Sequence, residues 1–163
     1  MAAPHPRDAS LSLELPSEAP TAALARGLAA RARAGDVIAL WGDLGTGKSV
    51  FARAFINARP GAPEEVPSPT FTLVQVYERG PVPVWHFDLY RIERPEETLE
   101  LGFEEALGEG ILLIEWPDRL GPLLPAERLD LRLDFADHAE ARRLEVRGHG
   151  DWAARIKDIH ALA

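Results

Sequence analysis

The chain has 163 residues, 46% of them apolar, which is enough length and apolar content for one globular domain. It carries 18 basic and 26 acidic residues and a formal net charge of −8, so it is a poor candidate for binding nucleic acid by itself. The sequence contains no cysteine, which excludes disulfides and thiolate metal sites and is in keeping with a cytoplasmic location.

The N-terminal region is predicted to be a tail, a strand and a helix. Residues 1–9 are rich in proline and alanine and lack an apolar signal core, so we expect a flexible tail followed by a single domain over residues 10–163. Residues 10–15 alternate between polar and apolar, which is typical of a half-buried strand. Ser17 is a suitable N-cap for a helix that ends near Gly35. No apolar run approaches the roughly 20 residues of a membrane span, so no membrane partner is expected.

A buried strand and a helix are predicted on either side of a glycine-rich loop. Residues 36–41 (DVIALW) are nearly all apolar, as in a strand covered on both faces. Residues 48–58 place Phe51 and Phe55 four positions apart, which suits a helix. Residues 59–69 contain four prolines and are predicted to form a loop.

The second half of the chain contains further strand and helix patterns. Residues 70–78 and 82–90 flank a short turn and predict an antiparallel hairpin. Pro95 opens a predicted helix over residues 95–107, and residues 111–116 form another buried strand. A second hairpin is predicted over residues 128–147, and a closing helix over residues 152–162. The succession predicts an α/β protein, a P-loop NTPase-like sandwich with a mixed parallel and antiparallel central sheet.

The motif that carries the chemistry is GDLGTGKS, residues 42–49, which matches G-x-x-x-x-G-K-[ST] in full. Its glycines let successive backbone N–H groups point at a phosphate, and the following helix presents its positive end to the same anion. Lys48 adds a point charge for the β- and γ-phosphates, and Ser49 offers a hydroxyl to Mg²⁺. The motif predicts a nucleoside triphosphate site without specifying the base or the reaction.

Two carboxylates at predicted strand ends, Asp88 and Glu115, are candidates for organising Mg²⁺ beside this loop. The sequence alone leaves open which of them is the direct ligand. Trp116 is expected to lie beside the nucleotide. Ser68 stands in a proline-stiffened loop whose hydroxyls could reach the γ-phosphate. A lone strand histidine such as His86 is more often a structural residue than a base.

Four motifs together resemble one family. GDLGTGKS, SPTFTLV (68–74), HFDLYR (86–91) and LIEWPD (113–118) occur in the order seen in the bacterial TsaE/YjeE family, and the resemblance covers about residues 16–134. These proteins are the ATPases of tRNA threonylcarbamoyladenosine biosynthesis. The chain therefore resembles an ATPase that uses ATP and Mg²⁺.

The resemblance also implies roles for individual residues. Lys48, Asp88 and Glu115 would be needed for hydrolysis, and Ser49 and Glu115 would hold Mg²⁺. Ser68 and Thr70 would form a nucleotide-sensitive switch. The residues expected to contact the nucleotide are Thr21, Asp43, Leu44, Gly45, Thr46, Gly47, Lys48, Ser49, Ser68, Thr70 and Trp116. After Asp134 the resemblance is weak, and Arg142 or Arg143 is a candidate for the pocket lining.

The family implies partners as well. These are a sugar-kinase-like threonylcarbamoyl transferase and its catalytically inert homologue, and ATP hydrolysis would reset the transferase between rounds of modification. The tRNA would be contacted only indirectly, through the complex, in agreement with the acidic charge. The resemblance thus predicts an ATPase that is slow alone and stimulated by partner proteins.

Two other functions compete with this interpretation. Residues 118–121 spell D-x-x-G, as in a GTPase switch, but the chain has no N-K-x-D motif for reading guanine. A small-molecule kinase would suit the length and the phosphate loop, but such enzymes usually carry an arginine-rich lid, and no lid segment is evident here. An ATPase is therefore favoured over both.

Overall fold

A computed structural model describes residues 8–163 and contains one mixed seven-stranded sheet. The strands are β1 (Asp8–Leu15), β2 (Val37–Trp41), β3 (Val74–Tyr77), β4 (Val84–Asp88), β5 (Ile111–Glu115), β6 (Leu129–Phe135) and β7 (Arg142–His149). Their order across the sheet is β1-β7-β6-β2-β5-β4-β3. The four central strands β6, β2, β5 and β4 are parallel, and the outer pairings on both sides are antiparallel. This confirms the predicted α/β class and the mixed sheet.

The four α-helices within residues 8–163 divide between the two faces of the sheet. They are α1 (Glu18–Arg31), α2 (Lys48–Ala58), α3 (Phe103–Glu109) and α4 (Trp152–Arg155). One core lies between the sheet and the helices α1, α2 and α4, and the other lies beneath α3 and two 3₁₀ segments. The central strands β2 and β5 are covered on both faces, which is why they are almost continuously apolar.

Local geometry differs from the sequence expectation at several element ends. The helix expected over residues 95–107 is a 3₁₀ segment, Pro95–Leu101, and then α3, because Gly102 between them adopts φ 83°. The strand expected from residue 70 begins at Val74, because residues 70–73 form a turn that ends at Leu73 with φ 68°. The closing helix expected over residues 152–162 is α4 followed by a turn and a 3₁₀ segment, Ile159–Leu162.

The N-terminal boundary also differs. Most of the tail predicted for residues 1–9, namely residues 1–7, lies outside the described residues, and β1 begins at Asp8 rather than at Ser10. Asp8 and Ala9 pair with His149 and Gly148 in β7, which extends the strand beyond the alternating stretch. Within residues 8–163, no helix has the length and apolar character needed to cross a bilayer.

Candidate functional site

The strand order brings the predicted motifs to one edge of the sheet. In a parallel sheet, the loops that follow neighbouring strands lie side by side at the carboxyl ends. Residues 42–49 follow β2, whose neighbour β5 ends at Glu115, and the next strand, β4, ends at Asp88. Asp88 and Glu115 are direct partners in the β4–β5 register, so both carboxylates leave the same face of the sheet.

A cavity of about 420 Å³ opens at this edge, a size suited to a small ligand. Of the predicted site residues, all but Asp43 line it. They are Thr21, Leu44, Gly45, Thr46, Gly47, Lys48, Ser49, Ser68, Thr70, Asp88, Glu115 and Trp116. Asp43 instead supports the loop through its backbone, because its carbonyl accepts a hydrogen bond from Thr46 Oγ1 at 2.8 Å.

The phosphate loop depends on a close backbone approach at Gly42. This residue has φ 140°, and a Cβ placed on it would lie 2.5 Å from the carbonyl oxygen of Leu133 in β6 and 2.7 Å from Thr46 Oγ1. Neither contact is compatible with a side chain. Glycine is therefore required where β2 turns into the loop.

We expect Gly42→Ala to destabilise the protein by about 1–3 kcal/mol, because the new methyl group meets a fixed backbone carbonyl. Urea unfolding measures the change. Gly108→Ala is the matched control, since this glycine lies in α3 with nothing within 4 Å of an added Cβ. Alanine there should leave stability unchanged or raise it by about 0.5–1 kcal/mol. Equal stability of the two variants would contradict the close approach at Gly42.

Lys48 is buried at the base of the cavity and has two contacts there. Its Nζ donates a hydrogen bond to the Gly42 carbonyl at 2.6 Å and lies 3.8 Å from the centroid of the Trp116 ring. Burial lowers the pKa of Lys48, while the negative charges of neighbouring carboxylates act in the opposite direction. They are, in order of effect, Glu115, Asp88, Asp43 and Asp118. The ammonium group is thus held in a poorly solvated position between an aromatic face and the two strand-end acids.

The loop that contains Ser68 and Thr70 contacts both sides of the site. The hydroxyl oxygens of Ser68 and Ser49 lie 2.9 Å apart, and Thr70 Oγ1 donates to Asp88 Oδ2 at 3.3 Å. The same loop is tied to β4 by its backbone, because the Asp88 N–H donates to the Leu73 carbonyl at 2.9 Å. A change in the position of Ser49 or Asp88 would therefore alter the hydrogen bonds of this loop directly.

Trp116 directly follows β5 and adopts a conformation that the sequence did not predict. It was expected to continue the strand, but it adopts φ 58° and ψ 51°, and β5 stops at Glu115. The turn places the indole over Lys48 and brings its centroid within 5.0 Å of the Tyr90 ring. Trp116 lines the cavity, and its contact with a nucleotide stays a prediction.

Arg142, from the region of weakest resemblance, is an important support of the loop. Its Nε donates to the Thr46 carbonyl and its Nη2 to the Gly45 carbonyl, each at 3.0 Å. Holding these carbonyls fixes the peptide units whose N–H groups the loop would present to a phosphate. The adjacent candidate, Arg143, faces the other side of β7 and pairs with Glu14.

Several cavity residues were not identified from the sequence. They are Ser17, Glu18, Val50, Ala139 and Glu140. The first two lie at the start of α1 and the last two in the β6–β7 turn, far from the phosphate loop in sequence, so no local pattern marks them. His86 does not line the cavity, although its spacing of two from Asp88 places both side chains on one face of β4.

Comparisons with known proteins identify relatives of this chain in both sequence and fold. A family model described as "Threonylcarbamoyl adenosine biosynthesis protein TsaE" matches residues 15–144. The chain is similar to the tRNA threonylcarbamoyladenosine biosynthesis protein TsaE of Rickettsia conorii, at 41% identity over 76% of this chain and 71% of the relative. The protein of the same name from Bacillus subtilis is 42% identical over 74% of this chain and 75% of its own length. The crystal structure of Bacillus subtilis YdiB superposes with a TM-score of 0.79 and 29% identity, covering 94% of this chain and 96% of that one.

Proposed function

The chain belongs to the TsaE family of threonylcarbamoyl adenosine biosynthesis, and from this membership we propose that it is an ATPase that binds and hydrolyses ATP with Mg²⁺ in support of that tRNA modification. One observation carries the proposal. Lys48, Asp88 and Glu115, which come from three separate segments, converge on the cavity beside the phosphate loop. A packing role alone would not bury one ammonium and two carboxylates together.

The donor set fits Mg²⁺. Magnesium prefers hard oxygen ligands and is usually held by one or two carboxylates together with substrate phosphates. The cavity offers the Ser49 hydroxyl and the Glu115 carboxylate, with Asp88 beside them. In this proposal Ser49 and Glu115 hold the ion, which when bound neutralises negative charge on the β- and γ-phosphate oxygens.

The remaining residues bind and orient the triphosphate. The N–H groups of residues 43–49 surround its phosphates, and Lys48 moves from the Gly42 carbonyl to the β- and γ-phosphates. Asp88, fixed by the Tyr90 N–H at 3.1 Å and by Thr70, orients the attacking water or the metal. Thr21 and Trp116, which both line the cavity, contact the nucleoside in this proposal.

Ser68 and Thr70 act as the nucleotide-sensitive switch. Ser68 touches Ser49, a proposed metal ligand, and Thr70 touches Asp88. Occupation of the site and loss of the γ-phosphate would each change these two contacts, and the loop between them would respond. The exposed tip of that loop is Phe71, whose side chain is 81% exposed.

The rim of the cavity suits a protein partner. Four large apolar side chains are exposed on segments that border it, and we call them the rim surface: Leu44, Phe71, Tyr90 and Phe135. Arginines stack on three of its rings, with Arg91 over Phe71, Arg119 over Tyr90 and Arg142 over Phe135. Aromatic and arginine side chains are enriched in protein interfaces. We propose that the threonylcarbamoyl transferase and its inert homologue contact this surface, and that tRNA is contacted only through them; the cytoplasmic location stays a prediction.

The expected result is slow Mg²⁺-dependent ATP hydrolysis by the isolated protein and faster hydrolysis when the transferase pair is added. Phosphate release measures both rates. Phe71→Ala should keep the rate of the isolated protein and lose much of the stimulation, whereas Leu99→Ala, an exposed apolar residue outside the rim surface, should behave like the wild type. Equal rates with and without the pair would contradict the partner proposal.

Binding of ADP and GDP separates the ATPase from its first rival. Preferential binding of ADP supports the proposal, and preferential binding of GDP would favour a GTPase. Rapid transfer of phosphate from ATP to a metabolite by the isolated protein would favour a kinase instead.

A further inference from the structure

His86 is a buried histidine whose imidazole makes one hydrogen bond within residues 8–163, and its partner is Glu115, a proposed metal ligand. Its side chain is 1% exposed, and its Nε2 lies 2.7 Å from Oε2 of Glu115, which is itself buried. His86 and Asp88 are two residues apart on β4, and Asp88 is paired with Glu115 on β5. The three side chains therefore share one face of the sheet, with His86 behind the two carboxylates as seen from the strand ends.

The hydrogen-bond chemistry fixes the direction of this contact. A carboxylate oxygen can only accept a hydrogen bond, so Nε2 of His86 carries a hydrogen and donates a hydrogen bond to Oε2 of Glu115. The other ring nitrogen, Nδ1, is buried and has no partner among residues 8–163. The imidazole is thus hydrogen-bonded to Glu115 through one nitrogen, while its other nitrogen is left unsatisfied. An apolar side chain could fill the same space but would leave the buried Glu115 carboxylate without this donor.

We propose that His86 is a positioning residue that orients the Glu115 carboxylate for Mg²⁺, an inference that rests on the proposed function. The hydrogen bond engages Oε2 and holds the carboxylate in one rotamer, leaving Oε1 for the ion. Hydrogen bonds from a second layer of residues commonly fix metal ligands in this way, and their loss typically costs about 10–100-fold in metal affinity. His86 itself touches neither the metal nor the nucleotide.

Two substitutions separate this role from packing, because each reproduces one ring nitrogen. In His86→Gln the side-chain amide nitrogen reaches the position of Nε2 and can still donate to Glu115. In His86→Asn the amide reaches only the position of Nδ1 and cannot. Both variants replace the imidazole by a side-chain amide of similar polarity. A difference in metal affinity between them therefore reports the hydrogen bond to Glu115.

The measurement is the affinity of the full-length protein–ADP complex for Mn²⁺, followed by electron paramagnetic resonance as a substitute for Mg²⁺. We expect H86N to weaken Mn²⁺ binding by about 10–100-fold and H86Q to restore it towards the wild-type value. The affinity for ADP in EDTA should be the same for all three proteins. Wild-type Mn²⁺ binding by H86N, or an equal loss of ADP affinity in EDTA, would overturn the inference.

A second measurement needs no variant and decides the matter if a variant does not fold. In the histidine side-chain nitrogen spectrum of the wild-type ADP complex, the Nε2–H signal of His86 should shift when Mg²⁺ is added. An unchanged signal would overturn the inference. A wild-type protein that binds no Mn²⁺ with ADP would overturn the proposed function and this inference with it, whereas normal wild-type binding with an unaffected H86N would overturn this inference alone.

Discussion

Lys48→Ala is expected to lower the rate of ATP hydrolysis by about 10²–10³-fold, the usual loss when one preorganised donor to transition-state charge is removed. The ammonium group is buried beside the Trp116 ring, where its interaction with a phosphate would be poorly screened by water. Phosphate release with and without the partner proteins measures the effect. The loss should persist when the partners are present, because the cavity lining contains no second lysine among residues 8–163.

The chain supplies a matched control for this substitution. Lys157 is the other lysine of the sequence, and its side chain is exposed near the C-terminus. Lys157→Ala changes the net charge by the same amount and should hydrolyse ATP at the wild-type rate. If Lys48→Ala retained the activity of the Lys157→Ala protein, the phosphate loop would not be the site of hydrolysis.

The parts of the fold that were predicted are those fixed by short-range patterns. The continuous apolar run of residues 36–41 predicts a covered strand, and the glycines that follow it predict a tight loop. The alternation in residues 10–15 predicts a half-buried strand, and these residues lie in β1, which pairs antiparallel to β7. In each case, the chemistry of about ten neighbouring residues determines the local structure, so one sequence is sufficient.

The differences arise where one backbone conformation interrupts an otherwise regular pattern. Gly102 divides an acidic, periodic stretch into a 3₁₀ segment and α3 by adopting φ 83°, although periodicity alone favours one helix. Leu73 and Trp116 adopt positive φ values that non-glycine residues rarely take. Both lie beside the candidate site, where tertiary contacts such as Lys48 over the Trp116 ring compensate for the local strain.

The contacts of the site that the sequence did not predict are long-range ones. Arg142 reaches the phosphate loop from 96 residues away, across the strand order rather than along the chain. The pairing of His86 with Glu115 requires the register of β4 on β5, which no local pattern supplies. The sequence therefore located most of the residues that line the cavity, while the contacts that hold those residues in place required the fold.

Glu115→Ala is expected to abolish metal-dependent hydrolysis, with a loss of at least about 10²-fold, because a bound metal supplies several kcal/mol of charge stabilisation in the transition state. It should also remove the strengthening of ADP binding by Mg²⁺, which titration calorimetry with and without the ion measures. The substitution leaves the buried Nε2–H of His86 without its acceptor, so we expect a loss of about 1–3 kcal/mol in stability as well.

Glu115→Gln separates the loss of metal-dependent hydrolysis from the loss of stability expected in Glu115→Ala. The amide oxygen of glutamine can still accept from His86, so the protein should keep nearly the wild-type stability while losing the negative charge that attracts the ion. Asp118→Ala is the control for charge alone, because this carboxylate also acts on Lys48 but is 56% exposed. It should bind Mg²⁺ and ADP like the wild type. If Glu115→Gln hydrolysed ATP normally while Asp88→Asn did not, Asp88 rather than Glu115 would be the carboxylate that holds the metal.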